Sequence, residues 1–306
     1  MRYDVIIAGG SYAGMSAALQ LARARRKVLV IDAGQRRNRF AASSHGFLGQ
    51  DGRAPGDIAE DARRQLMAYP TVEWVSGTVI NASKVADGFT LATSDGQCFD
   101  ARRLLLATGV IDELPDVEGL AQRWGKSVFH CPYCHGYELE QGPIGVLATS
   151  EMSLHHALML PDWGPTTFFT RGVFEPDPEQ RASLERRGVT MVPEHVERIE
   201  GDRADVVLAN GRVVSIEGLF VLPRTRVASP LAESLGCEFE DGPMGAFIQS
   251  DMTRETSVPG VFVCGDAAMP FGSVALSVGD GVRAGSGVHR SLIFGGIESR
   301  AGSFPY

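Results

Sequence analysis

Cysteine is scarce in this chain of 306 residues. It occurs five times, at positions 98, 131, 134, 237 and 264, an odd and sparse set that excludes the disulfide framework of a small secreted domain. Only two of the five stand close together, so a four-ligand zinc site has no second pair to draw on. The sequence predicts no metal. No apolar run approaches the length of a membrane span. The apolar start is interrupted by Asp4 and Gly9-Gly10, which argues against a signal peptide. A cytoplasmic protein with no membrane attachment is the expectation. Low-complexity stretches are missing too. Positive charge is also in deficit: 29 Lys and Arg stand against 37 Asp and Glu, a net of −8. The deficit lies within 116–242, where 11 basic residues meet 20 acidic ones, while the remainder carries 18 against 17. Such a segment repels phosphate backbones, so nucleic acid is not an expected partner.

What is present has the size and composition of a two-domain globular protein, with 44% hydrophobic and 22% charged residues. The start reads as strand, turn, helix, strand. Tyr3–Ala8 is a short apolar run suited to a buried parallel strand. The turn Gly9-Gly10-Ser11-Tyr12-Ala13-Gly14 follows, then an Ala/Leu-rich helix over Met15–Arg25 and a strand over Lys27–Ile31 that ends in Asp32. This is a Rossmann unit. Residues 71–109 contain short, turn-separated segments at Val72–Val75, Gly77–Ile80 and Phe89–Thr93, which predict a β-meander, and a buried strand at Leu104–Gly109. A second strand-helix-strand unit is expected at Ile144–Ala148, Met152–Leu160 and Thr166–Thr170. Near the end, Gly260–Asp266 is a strand closing on an acid, followed by a small-residue helix over Ser273–Ile293. The fold class is therefore α/β, with two similar Rossmann-like, nucleotide-type modules.

Two chemistries stand out. Gly9 permits the tight turn and Gly14 the close packing of helix on strand, so the helix start can hold a pyrophosphate through free N–H groups. Ser11 replaces the middle glycine of the usual G-x-G-x-x-G. Asp32, 23 positions after Gly9, suits a ribose hydroxyl and would reject a 2′-phosphate. The second chemistry is Cys131-Pro132-Tyr133-Cys134, followed by His135-Gly136-Tyr137-Glu138. A Cys-x-x-Cys pair can close and reopen a small disulfide ring, one thiol attacking and the other resolving. The adjacent imidazole can serve as acid or base for a thiol. Cys98 and Cys264 lie in apolar, strand-like settings and read as inert core residues. Cys237, in a loop-like Gly-Cys-Glu setting, is expected to be more exposed. His155-His156 point in different directions on a helix and share no metal.

Together with His45-Gly46-Phe47-Leu48-Gly49, Ala107-Thr108-Gly109 and Pro259–Asp266, these motifs make the chain resemble the low-molecular-weight thioredoxin reductases of the two-dinucleotide-binding-domain flavoproteins. The resemblance covers nearly the whole length. It implies a discontinuous FAD domain, 1–115 plus 243–306, with an NAD(P)-binding-like domain, 116–242, inserted and carrying the redox pair. It places FAD against Gly9, Gly10, Ser11, Ala13, Gly14 and Asp32, against Ala107, Thr108 and Gly109, and against Gly265 and Asp266, the latter on the ribityl chain. The helix beginning Ser273, Val274, Ala275 would face the flavin. Carried over, Cys134 meets the flavin and Cys131 exchanges with substrate; His135, with Glu138 close by, is the expected proton handler of this catalytic group. A homodimer is implied as well.

The chain departs from that family at three places. His135 stands where typical reductases have Asp, and His135–Glu138 resembles instead the subgroup that includes the gliotoxin and holomycin dithiol oxidases. The turn Ala148–Ser153 has no glycine and carries Glu151, and the basic cluster for a 2′-phosphate is reduced to Arg171. Gly272-Ser273 replaces an Arg-Gln pair. NADPH is therefore not assumed as donor. The expected function is an FAD-dependent thiol–disulfide oxidoreductase. Its partner is a thioredoxin-like protein or a small dithiol or disulfide, and both directions stay open. A redox-sensing flavoprotein without turnover is the reading from another class. The short aromatic ending Ser303–Tyr306 is a candidate cover for a partner or flavin edge.

Overall fold

The computed structural model describes residues 2–295, so the Ser303–Tyr306 ending lies outside the described residues. The chain divides into two compact units, one of 1–39, 55–111 and 225–306, the other of 40–54 and 112–224. These limits lie within a few residues of the expected 115/116 junction and some eighteen from 242/243. They also assign 40–54 to the second unit.

The first unit is built on a seven-stranded sheet. Its order is Val72–Ser76, Val28–Asp32, Arg2–Ala8, Cys98–Leu106, Gly88–Thr93 and Val79–Val85, with Val261–Val263 also paired to Cys98–Leu106. Alternation within Arg2–Ala8 decides what each face buries. Val5 and Ile7 enter one core with Leu21, Val30 and Phe262, while Ile6 and Ala8 enter another with Leu29, Phe89 and Leu91. Strands buried on both faces need the continuous apolar runs seen here. The expected β-meander is only partly formed. Val79–Val85, Gly88–Thr93 and Cys98–Leu106 pair antiparallel, but Val72–Ser76 runs parallel to Val28–Asp32 and extends the nucleotide-type sheet. Its apolar residues pack beside the Rossmann strands, and this tertiary pairing overrides the local turn signal.

Helix Tyr12–Arg23 begins directly behind the glycine turn, three residues earlier than periodicity predicts. It packs along helix Val274–Phe294. A Cβ at Gly281 would lie 2.2 Å from the Ala13 carbonyl oxygen, so the small-residue pattern of the second helix is a close-approach surface. The same helix carries Asp280, nearly fully buried, whose carboxylate accepts from Arg254 Nε at 2.6 Å and from the Gly265 backbone N–H at 2.9 Å. This ion pair fixes the loop after strand Val261–Val263.

The second unit has a five-stranded parallel sheet, ordered Thr190–Val192, Thr166–Phe169, Ile144–Leu147, Gly218–Val221 and Val128–Phe129. The expected second strand-helix-strand unit is its centre, with helix Ser153–Met159 between the strands. An antiparallel trio, Val196–Glu200, Asp205–Leu208 and Val213–Val214, flanks it. Among the described residues no helix is long and apolar enough to cross a membrane.

Removing one partner of a buried ion pair strands the other charge, at a cost of about 3–5 kcal/mol. Asp280→Ala is expected to lower urea stability by about that amount, measured by tryptophan fluorescence; an unchanged midpoint would mean that Arg254 finds water instead.

Candidate functional site

In the first unit the sequence-predicted residues converge at the carboxyl ends of the central strands. Gly9 has φ +108°, and a Cβ there would meet the Ala107 carbonyl oxygen at 2.2 Å. A Cβ on Gly14 would meet the Gly9 oxygen at 1.9 Å. Backbone therefore lies directly on backbone where Gly9 faces Ala107 and Thr108, while Gly10 packs against Trp74 and Asp32, and Ala13 lies beside Gly265. Ser11 is the helix N-cap but makes no side-chain capping bond, leaving the first-turn N–H groups available to an anion. Asp32 accepts from Gly10 N at 2.9 Å and from Gly34 N at 3.1 Å, which holds its carboxylate at the mouth of a cavity of about 270 Å³. That cavity is also lined by Trp74 and Arg63, whose guanidinium sits 4.4 Å from the indole ring centroid.

Gly265 and Asp266 follow strand Val261–Val263. Asp266 pairs with Arg37 at 2.8 Å and lies 3.4 Å from the Ser277 hydroxyl, which donates to it. Ser273 caps the long helix by accepting from Leu276 N at 3.2 Å, and Val274 and Ala275 form its partly exposed first turn. The sequence reading missed Arg37, Asn38, Arg254 and Asp280. The basic run Arg36-Arg37-Asn38-Arg39 after Asp32 was the available signal for the first two, and none existed for the others. Arg36 Nε and Asn38 Oδ1 are buried without a hydrogen-bond partner among the described residues. Unsatisfied polar atoms, a bare helix start and a cradle that excludes Cβ atoms fit a dinucleotide such as FAD.

In the second unit, strand Val128–Phe129 delivers Cys131 in extended conformation as the N-cap of a short helix, Pro132–His135. Pro132 at its first position is pre-set for that turn. Cys131 and Cys134 form a disulfide with Cα atoms 5.3 Å apart, and both are half-buried. Tyr133 and Tyr137 beside them are exposed, Tyr133 edge-on to Trp163 at 5.4 Å. His135 stacks on Phe129 with ring centroids 4.2 Å apart. Burial, and next the nearby His45, push its pKa down to about 4. Glu138 does not turn to His135; its carboxylate lies 3.4 Å from His45 Nε2. His45 reaches it from the loop Ser43–Arg53, closed by a bridge between Ser44 and Arg53.

The glycine-free turn of the second unit is filled by its own side chains. Thr149 N donates to Ser153 Oγ at 3.0 Å, and Thr149 Oγ1 donates to the Leu222 carbonyl at 2.8 Å. Ser153, Leu154 and His155 N–H groups are taken by the carbonyls of Ser150, Glu151 and Met152. Glu151 accepts from Gln180 at 3.0 Å. Arg171, in a left-handed conformation with φ 53°, has its Nε buried without a partner among the described residues.

Two cysteine expectations are corrected. Cys98 is exposed, because it begins its strand at the solvent end of the antiparallel pairing, while Cys237 is buried against the Thr256 hydroxyl at 3.5 Å. Cys264 is fully buried, as expected, and burial pushes its thiol pKa far up. No cluster of metal-binding side chains occurs among the described residues. His156, buried on helix Ser153–Met159, hydrogen-bonds to the backbone of His130, next to Cys131.

Burial first, and then His155, lower the His156 pKa from 6.5 to about 4. A histidine with a folded pKa below its unfolded one binds its proton more readily when unfolded. Its stabilising contribution is complete above the unfolded value and is lost as pH falls from there toward 4, at up to about 1.4 kcal/mol per pH unit. The urea midpoint is expected to fall between neutral and mildly acid pH, and His156→Gln to flatten that fall. An equal slope in the variant would place the titrating group elsewhere.

The comparisons with known proteins agree with this geometry. The chain matches the pyridine nucleotide-disulphide oxidoreductase family over residues 3–157 and 174–284. It is 33% identical to thioredoxin reductase tcpT of Claviceps purpurea, covering 95% of this chain and 94% of that one. It is 31% identical to thioredoxin reductase sirT of Leptosphaeria maculans, covering 98% and 97%. Among solved structures, an oxidoreductase from Agrobacterium tumefaciens shares 57% identity with a TM-score of 0.94, over 96% of this chain and 99% of that one. The structure of HlmI shares 38% with a TM-score of 0.89, over 97% and 94%. A Rossmann-like fold with a redox disulfide and relatives of this kind lead to one conclusion: the chain belongs to the pyridine nucleotide-disulphide oxidoreductase family and is a flavin-dependent, thioredoxin reductase-like disulfide oxidoreductase.

Proposed function

We propose that this enzyme runs in the oxidative direction, converting a small dithiol to a disulfide, and that it takes no electrons from NADPH. The self-filled turn at Ala148–Ser153 carries this reading. A dinucleotide pyrophosphate needs free N–H groups at such a turn, and here those of Thr149, Ser153, Leu154 and His155 are bonded to Ser153 Oγ and to the carbonyls of Ser150, Glu151 and Met152. Glu151 adds a negative charge where a phosphate would arrive.

Gly9, Ser11, Gly14, Asp32, Gly265 and Asp266 would hold FAD, with Ser273 starting the helix that faces it. When bound, FAD supplies the two-electron acceptor that restores the Cys131–Cys134 disulfide, with O₂ or another acceptor taking the electrons onward. The remaining chemistry belongs to the chain. A substrate thiolate attacks Cys131 Sγ, the Cys131–Cys134 bond breaks, and Cys134 leaves as a thiolate. The second substrate thiol then attacks its own sulfur in the mixed disulfide and releases Cys131. The substrate loses two electrons and two protons, and the protein pair gains the electrons. Tyr133 and Tyr137 offer exposed aromatic surface beside the pair, which suits a compact, partly apolar dithiol.

The second reading is a reductase of a thioredoxin-like protein. The names of the fungal relatives favour it, as does the unpartnered Nε of Arg171, a group able to take a phosphate.

Anaerobic titration of the flavoprotein decides between them. Dithiothreitol is expected to bleach the oxidised-flavin absorbance and NADPH to leave it unchanged; rapid bleaching by NADPH would overturn the oxidative reading. Cys131→Ser and Cys134→Ser should each slow bleaching by dithiothreitol by about two orders of magnitude or more, since neither retains an exchangeable disulfide.

A further inference from the structure

The loop bearing His45-Gly46-Phe47-Leu48-Gly49 has no part in the chemistry so far. It leaves the first unit in sequence and belongs to the second by its contacts. Its histidine is bracketed by acids. His45 Nε2 lies 3.0 Å from Ser43 Oγ and 3.4 Å from Glu138 Oε1, and Nδ1 lies 3.6 Å from Asp51 Oδ1. Asp51 also accepts from Gly46 N at 2.8 Å and is two-thirds exposed, whereas the His45 side chain is 19% exposed. The ring thus has a carboxylate at each nitrogen, one on the redox turn and one at the solvent.

Glu138 is placed for this by the turn that directly follows the redox pair. Helix Pro132–His135 continues through Gly136, at φ −67° and ψ −35°, into the 3-10 turn Tyr137–Leu139. Glu138 therefore stands about one turn beyond Cys134 along the chain. His135, although adjacent in sequence to Cys134, directs its ring flat against Phe129. Protonating it would place a charge in that apolar contact.

We propose that His45 is a positioning residue of the redox pair, forming with Glu138 and Asp51 a relay that carries thiol protons between the Cys131–Cys134 turn and solvent. The inference deepens the dithiol-oxidase reading and rests on it for the direction of proton flow. For each dithiol oxidised, two S–H bonds break and the S–S bond of the pair is exchanged for that of the substrate. The relay carries the first proton away as the substrate sulfur attacks. The charged and titratable groups facing His45 are Asp51 on its own loop, Glu138 and His135 on the redox turn, and Arg53 across the loop, whose guanidinium donates to Gln50 at 2.7 Å.

The test is the pH profile of anaerobic flavin bleaching by dithiothreitol. The same pH series is applied to iodoacetamide alkylation of the dithiol-reduced full chain, a readout independent of turnover. His45→Asn and Glu138→Gln are each expected to remove one inflection from both profiles and slow neutral-pH bleaching by about ten- to a hundredfold. The double variant should be no slower than the slower single one. His135→Asn should keep the inflection, whatever its rate. The relay is overturned if His45→Asn superposes on the parent profile, or if only His135→Asn loses the inflection. Should His45→Asn fail to fold, Glu138→Gln interrogates the same relay from the other end. If dithiothreitol does not bleach the parent flavin, the oxidase reading fails, while the alkylation profile still decides the relay.

Discussion

The proposed cofactor cradle depends on one close approach, the contact of the Gly9 backbone with the Ala107 carbonyl. No side chain fits between them: a Cβ on Gly9 would stand 2.2 Å from that oxygen, and one on Gly14 1.9 Å from the Gly9 oxygen. With the backbones this close, the strand ends, the helix start and the Gly265 loop gather around one volume. Asp280 completes the arrangement from below. Its buried carboxylate ties the Gly265 amide to Arg254, so a loop that carries Asp266 is held by a charge pair rather than by packing alone. Removing either constraint would loosen the turn and loop on which the proposed cofactor site rests.

The second unit builds a similar framework with a different turn. Its central strands and connecting helix follow the same order as the nucleotide module, yet the turn between them has turned inward. Ser153 is fully buried and its hydroxyl takes the Thr149 amide, which in a nucleotide-binding turn would face phosphate. His156 reaches the backbone of His130, immediately before Cys131.

Features set by local sequence were legible before the fold was known. Apolar runs marked the buried strands, the glycine spacing marked the first turn, and Cys131 and Cys134 paired as their spacing implied. Features set by pairing across long separations were not. Arg37 with Asp266, Arg254 with Asp280 and His45 with Glu138 join residues 229, 26 and 93 positions apart, and no periodicity marks such pairs. Exposure was misread for the same reason. Cys98 sits in an apolar-looking strand but at its solvent end, and Cys237 follows a glycine but turns into the core. His135 was expected as a proton handler from its imidazole and its place beside Cys134, and the sequence carried no sign that its ring stacks on Phe129.

The loop 40–54 alters how this protein can be treated as a set of modules. Because that segment joins the second unit, the chain passes between the units four times rather than twice, and the redox unit is not one contiguous cassette. A chimera made by exchanging 112–224 with a relative would import a new Cys-x-x-Cys turn and its Glu138 equivalent, but would leave the native His45 loop behind. The two segments have to travel together, in the laboratory or in evolution, for the surroundings of the disulfide to be inherited whole.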